Sequence, residues 1–392
     1  MKVLFKQPNK SKLIMTKIIK TGICQFFWLI SLVSSLGFFS SNNRTCIIEY
    51  TMKVIFMIVM VLGCFFGAGL TSGKEIATYF SVFGKYSNLG VVLATACLFG
   101  LMYLFFRLST KTNTFDKFVN LYFGKAGVLI NWLFAVCLFV LTSSMFAGSL
   151  VIAKTISINS FVFALATGLC CYLVVVGNVG VIQKISLLLV PIMIIVMLFV
   201  CGVPHSLKLT LGEPTLSVIS STNYVFMNIV TLGLFILETG HSYSRKQALI
   251  ISIVCSLLIG IILYVANNAI IFNHVENSSM PLLTLASTKG FGVWVVSAIT
   301  IWIGLFTTII SCVFVLGNFV NNYVSNYKVT IVMIILLAML CSNFGFDFIV
   351  GYVYWIIGFV GIFVVFKVIL DTLKERRKAK KVLTKLNRVK TG

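Results

Sequence analysis

Ten long apolar runs constrain this chain more than any other feature. They fall at 53–70, 88–106, 126–153, 158–177, 184–202, 219–240, 247–272, 290–320, 329–346 and 347–370. A helix crossing ~30 Å of hydrocarbon needs roughly 20 apolar residues. The runs are continuous and do not alternate with period two, which favours helices over a barrel. Composition agrees: 59% of the 392 residues are hydrophobic and 10% are charged, where a soluble domain carries about 25% charged residues. So few charges cannot cover a globule of this size. A soluble enzyme, a free nucleic-acid-binding domain and a disordered chain are excluded, and an all-α polytopic membrane protein remains.

The net charge of +22 would suggest nucleic acid in a soluble protein. Here its placement points to a membrane. Ten basic residues lie between Lys367 and Lys390, after the last apolar run, and six more between Lys2 and Lys20. Cationic flanks mark the cytoplasmic side and its anionic headgroups. With both ends of the ten-helix unit inside, the inner loops hold eight basic residues: Arg107, Lys111, Lys117, Lys125, Lys184, Arg245, Lys246 and Lys328. The outer loops hold five: Lys74, Lys85, Lys154, Lys208 and Lys289. The C-terminus is therefore expected in the cytoplasm, in a cell membrane. The inner connection Leu108–Phe123 is expected to form a short interfacial helix. Residues 1–51 stand apart: Gln25–Phe39 is apolar but interrupted by serines, and Met52-Lys53 reads as a natural start, so this stretch is expected to be a translated upstream stretch or a dispensable extension outside the native core, with a signal-like segment or an eleventh helix as the alternatives.

The 11 cysteines show no CxxC and no ligand spacing, and His205, His241 and His274 lie far apart. Neither a disulfide framework nor a zinc site is expected. Walker-type, GxSxG and HExxH motifs are absent, so the expectation is a non-enzyme without an organic cofactor.

The most informative stretch runs from Val61 to Ile76, with Gly63, Gly67, Gly69 and Gly73 followed by polar residues. Each glycine costs roughly 1 kcal/mol against alanine in a helix interior. Close packing through small residues accounts for Gly63 and Gly67. It does not account for Thr71-Ser72-Gly73-Lys74-Glu75. The expectation is a helix broken at mid-membrane, tolerated because it lines a cavity or binds something. Freed backbone groups at Gly67, Ala68, Gly69, Thr71, Ser72 and Gly73 would then meet a solute.

Gly67-Ala68-Gly69-Leu70-Thr71-Ser72-Gly73-Lys74-Glu75-Ile76 resembles the GAGFASGQEI opening motif of the YkvI-like bacterial membrane proteins. That family resembles the amino acid–polyamine–organocation superfamily, whose fold is two inverted repeats of five helices, the leucine-transporter arrangement. The resemblance covers roughly residues 52–370 and departs at Leu70, Thr71 and Lys74. It implies a first repeat at 52–202, a second at 203–370 and a basic cytoplasmic tail at 371–392. It also implies a small amino-acid-like or amine solute moved by alternating access.

An inverted repeat implies a second break in the sixth run, where Asn223, Tyr224, Asn228, Thr231 and a lone Gly233 sit mid-span. A continuous helix with polar packing contacts is the alternative. Tyr224 and Asn228, with Ser144 on the third run, are candidate solute contacts. Sodium-coupled members of the fold hold one ion between the first and eighth helices. Carried over, its ligands are the carbonyls of Gly63, Phe66 and Gly304 and the hydroxyls of Thr307 and Thr308. Five oxygens suit a hard cation, although threonines in membrane helices commonly bond to their own backbone. Proton coupling, or none, is the alternative to sodium.

Among the acidic residues, Glu75 sits just past the break as a proton or charge site, or as a partner of Lys74 or Lys85. Glu238 is expected to pair with Arg245 or Lys246, and Asp347 to be solvated. The rival to a transporter is a membrane sensor that binds a small solute without moving it.

Overall fold

The computed structural model describes residues 44–112, 115–177, 179–202, 213–321, 323–324 and 326–390. The segment Gln25–Phe39 and its basic leader lie outside the described residues. By contacts the chain divides into Met1–Lys53 and Val54–Gly392; every residue of the candidate site belongs to the second unit.

Helix α1 (Arg44–Phe65) and the start of α2 (Ala68–Ser72) fall in the first apolar run, and α3 (Lys74–Tyr79) follows it. Then come α4 (Ser87–Thr112), the short α5 (Phe115–Phe123), α6 (Gly127–Thr155), α7 (Ser160–Gly177) and α8 (Val179–Cys201). The second half holds α9 (Pro214–Thr239), α10 (Arg245–Phe272) and the short α11 (Pro281–Ser287). It continues through α12 (Phe291–Asn321), α13 (Tyr327–Cys341) and α14 (Tyr354–Lys390). Among the described residues, eight helical stretches are long and apolar enough to cross a membrane. Two shorter apolar helices, Tyr50–Phe65 and Leu189–Cys201, fall in the first and fifth runs. The chain is a multi-pass membrane protein. On α14, Ile356, Phe359, Phe363 and Phe366 form an exposed face, each more than half accessible. Leaving such side chains in water would forfeit roughly 1.5–3 kcal/mol apiece; lipid removes that penalty.

Local chemistry sets the helix ends. Pro214 occupies the first turn of α9, where its missing N–H costs nothing. Ser244 and Gln247 close a capping box on α10, with bonds of 3.3 and 2.9 Å. The expected helix at Leu108–Phe123 divides: Leu108–Thr112 continues α4, and Phe115–Phe123 forms α5, which buries Phe118, Val119 and Tyr122 along one face. The Glu238 carboxylate accepts from the Phe115 N–H at 2.8 Å. It thus caps the first turn of α5 instead of pairing with Arg245 or Lys246 as expected. A cap suits it because the first N–H groups of a helix lack internal acceptors.

The break expected in the sixth run is absent: α9 runs uninterrupted from Pro214 to Thr239. A Cβ at Gly233 would meet the Phe105 ring of α4 at 2.6 Å, so this glycine serves close helix packing. The polar residues are satisfied along the helix itself, Asn228 donating to the Tyr224 carbonyl at 3.0 Å and Thr231 to that of Asn228 at 3.1 Å.

Helix α9 packs against α4 and α14, α10 against α4, and α12 against α6 and α8. The short helices at and after the end of the first run divide between these groups. Helix α2 touches α12, α6 and α11, whereas α3 touches α9 and α10. After α3 the chain tightens into 3₁₀ geometry at Ser81–Tyr86 and is tied to α10 by a buried amide network. Asn267 accepts from Ser81 at 2.9 Å and donates to Ser87 at 2.8 Å and to Asn88 at 3.1 Å, while Asn88 donates to Asn268 at 3.1 Å.

Candidate functional site

The helical ladder of the first run fails at Phe66–Gly67. The Gly67 N–H donates to the Phe65 carbonyl at 2.8 Å, bypassing Gly63, whose carbonyl a continuous helix would have used. Gly67 itself is extended, at φ −82° and ψ −175°. The ladder resumes with Thr71 N–H to the Gly67 carbonyl at 3.1 Å, then breaks again at Gly73, which is left-handed at φ 81°. There a side chain would be strained and its Cβ would lie 2.8 Å from Leu282 Cγ. Two interruptions thus set α2 off as a single turn inside an apolar span.

Most polar side chains of this turn are used locally. Thr71 Oγ1 donates to the Gly67 carbonyl at 3.0 Å and Ser72 Oγ to the Gly69 carbonyl at 3.2 Å. The Lys74 N–H donates to Ser72 Oγ at 3.3 Å. Helix α12 meets this turn at Gly304, where a Cβ would come within 3.2 Å of Thr71 Oγ1. One turn on, Thr307 and Thr308 both donate to the Gly304 carbonyl, at 3.1 and 2.9 Å. These three of the five expected ion ligands therefore converge. The Cβ position of Gly67 lies 3.8 Å from Thr308 Oγ1. The other two, the carbonyls of Gly63 and Phe66, belong to the interrupted stretch; Gly63 packs against Val190 of α8, and Phe66 is buried.

Lys74 and Asp347 form an ion pair at 2.6 Å, where simple solvation was expected for Asp347. Lys74 Nζ also donates to the Ser278 carbonyl at 3.2 Å, and Asp347 accepts from Ser279. The pair is half exposed on the Asp347 side, so it contributes little stability, about 0–1 kcal/mol. Its consequence is geometric: it clamps the start of α3 to the segments before α11 and α14, and it takes Lys74 away from Glu75.

Glu75 is 5% exposed, and its carboxylate lies back over α2 so closely that a Cβ at Gly69 would collide with it. Tyr79 stands one turn further along α3, and both it and Tyr224 of α9 are fully buried. The Tyr224 ring lies 5.5 Å from Tyr79, 5.0 Å from Phe80 and 6.1 Å from Phe65, and Tyr79 stacks on Trp355 at 5.5 Å. A π-helical stretch at Ile349–Val353 immediately precedes Tyr354; such bulges recur at functional sites. The hydroxyls of Tyr354 and of Ser144 on α6 are buried and have no hydrogen-bond partner. The Tyr224 hydroxyl likewise has no partner. Met145, next to Ser144, approaches the Cβ position of Gly67 at 3.9 Å.

The structure therefore gathers Ser144, Tyr224, Asn228 and Glu75 around the break, and Thr71 with Gly304, Thr307 and Thr308 beside it. A cavity of about 20 Å³ lies past Thr71, lined by Met193, Leu282, Ser297 and Thr300 among others; it has room for a water. Sequence reasoning missed Tyr79, Tyr354 and Trp355. No periodic signal marks them, because each is one aromatic among many in an apolar run.

No protein-family model and no curated protein sequence matches the chain. The resemblance to YkvI-like proteins therefore rests on the Gly67–Ile76 motif alone. Among solved structures, the chain is similar to Mhp1, a nucleobase-cation-symport-1 family transporter, in a closed conformation with bromovinylhydantoin bound. The identity is 13% and the TM-score 0.49, over 74% of this chain and 73% of that one.

Proposed function

We propose that this chain is a secondary active transporter of a small solute, built as two inverted sets of five helices and working by alternating access. One observation carries the reading. A membrane-spanning run is interrupted at Phe66–Gly67 and again at Gly73, and buried hydroxyls of Ser144, Tyr224 and Tyr354 stand unpartnered beside it. Irregular backbone and open polar groups at membrane depth are costly unless they serve a ligand. The solute, an amino-acid-like or amine compound, would sit at the break and be enclosed by α6, α9 and α14. Motion of α1–α3 and α9 against the remaining helices would expose it to each side in turn.

The proposed coupling ion is Na⁺, held by the carbonyls of Gly63, Phe66 and Gly304 and the hydroxyls of Thr307 and Thr308. Removing the Gly304 back-bonds frees both hydroxyls to turn toward a cation. Solute and ion then each stabilise the other's bound state by the same free energy. The basic tail rests on anionic lipid headgroups.

The test is uptake of amino acids and amines into proteoliposomes under a Na⁺ gradient, with K⁺ or choline as the replacement. Saturable, sodium-stimulated accumulation is expected, and Thr308→Ala should abolish the sodium dependence while leaving the fold intact. Saturable binding without accumulation would mean a sensor. Accumulation that ignores sodium in both proteins would remove the ion assignment.

A further inference from the structure

Glu75 carries a carboxyl group into the interior of the molecule. It is almost fully buried, and no ion pair to it is found among the described residues. Lys74, its neighbour in sequence, is committed to Asp347. A carboxylate removed from water without a cation is strongly unfavourable. Its surroundings are aromatic rings and hydroxyls. Tyr79, one turn along α3, packs its ring on Tyr224 and Trp355, Phe65 and Phe80 pack on Tyr224, Tyr354 is likewise fully buried, and the hydroxyls of Tyr224, Tyr354 and Ser144 lack partners. These groups come from four separate elements, α3, α6, α9 and α14, so no local turn explains their convergence.

We propose that Glu75 and its aromatic ring hold the ammonium group of a cationic solute. An ammonium group has three donors and no acceptor. The carboxylate and the open hydroxyl oxygens are acceptors, enough to take all three donors. The ring faces add attraction to a desolvated cation. An anionic head in the same place would meet the like charge of Glu75 and be rejected. A zwitterion would enter by its ammonium end. Gly69 belongs to this site because any larger residue would push the carboxylate off α2. The assignment names the substrate class of the proposed transporter and rests on that reading for the solute's onward passage.

The test uses the full-length protein in detergent and the fluorescence of its tryptophans, with Trp355 in the ring itself. Methylammonium, butylammonium, glycine and acetate are titrated in turn. Both alkylammonium ions are expected to bind saturably and acetate not at all. Glu75→Gln should weaken alkylammonium binding about tenfold or more, since a hydrogen-bonded charge is lost, and Glu75→Asp should restore part of it. Melting curves report whether the variants are folded. Should Glu75→Gln fail to fold, Tyr354→Phe takes its place, with a loss of about threefold expected from one missing acceptor. The proposal is overturned if the wild type binds no alkylammonium ion, if acetate binds as well as methylammonium, or if the folded variant binds alkylammonium unchanged. Proteoliposome flux is read separately. Binding without uptake overturns transport and leaves the ammonium site standing. Uptake indifferent to Glu75 overturns the site and leaves transport standing.

Discussion

Two buried polar clusters flank the broken first run, and they are built on opposite terms. Around Asn267, every described contact is closed: Ser81, Ser87, Asn88 and Asn268 are joined at 2.8–3.1 Å. Around Glu75, three hydroxyls are left open and the carboxylate has no described cation. Both lie among apolar helices, where an unmade hydrogen bond costs about 1–3 kcal/mol. A closed network recovers that cost and fixes geometry; it holds the 3₁₀ segment after α3 against α10. An open cluster has recovered nothing, and on that difference the ammonium proposal rests. The glycines differ in the same sense. Gly233 makes room for a ring of α4, whereas Gly69 makes room for a charge.

The comparison can be broken by exchanging the roles. The largest expected effect on stability is at the closed cluster. Asn267→Ala removes three buried hydrogen bonds, to Ser81, Ser87 and Asn88, and should cost about 3 kcal/mol, seen as a lower melting temperature in detergent. The protein that remains folded should bind methylammonium as the wild type does. An unchanged melting temperature would mean the network is not structural. Gly69→Ala comes next: its methyl collides with the Glu75 carboxylate, and such overpacking costs about 1–3 kcal/mol. Here binding should fall together with stability, and wild-type titrations would contradict the packing of Glu75 on α2. The smallest stability effect belongs to Tyr354→Phe. Its hydroxyl has no partner to lose, so the melting temperature should hold or rise by an amount equivalent to less than about 0.5 kcal/mol, even as methylammonium binding weakens. A large destabilisation would show that the hydroxyl is satisfied after all.

Legibility in the sequence followed the range of the interactions involved. The apolar runs were readable because hydrophobic length is a local property; eight fall on helices long enough to cross a membrane, and the first and fifth on shorter apolar ones. The break was readable because glycine spacing and the polar Thr71–Glu75 stretch act on the backbone within a turn. The second break was misjudged: Asn228, Thr231 and Gly233 look alike whether they line a gap or satisfy one another along α9, and the deciding contact, Phe105, is over a hundred residues away. Glu238 and Asp347 were assigned to sequence neighbours or to solvent, whereas their partners, Phe115 and Lys74, come from distant segments.

By itself, then, the sequence determined the solvent this chain lives in and the place where its first helix gives way. Both follow from side-chain hydropathy and backbone freedom, which depend on near neighbours. Tertiary structure alone decided which aromatic residues, out of dozens, close around Glu75 and which charge Lys74 answers. Those outcomes turn on where helices hundreds of residues apart come to rest, and hydropathy is blind to that once every candidate is apolar.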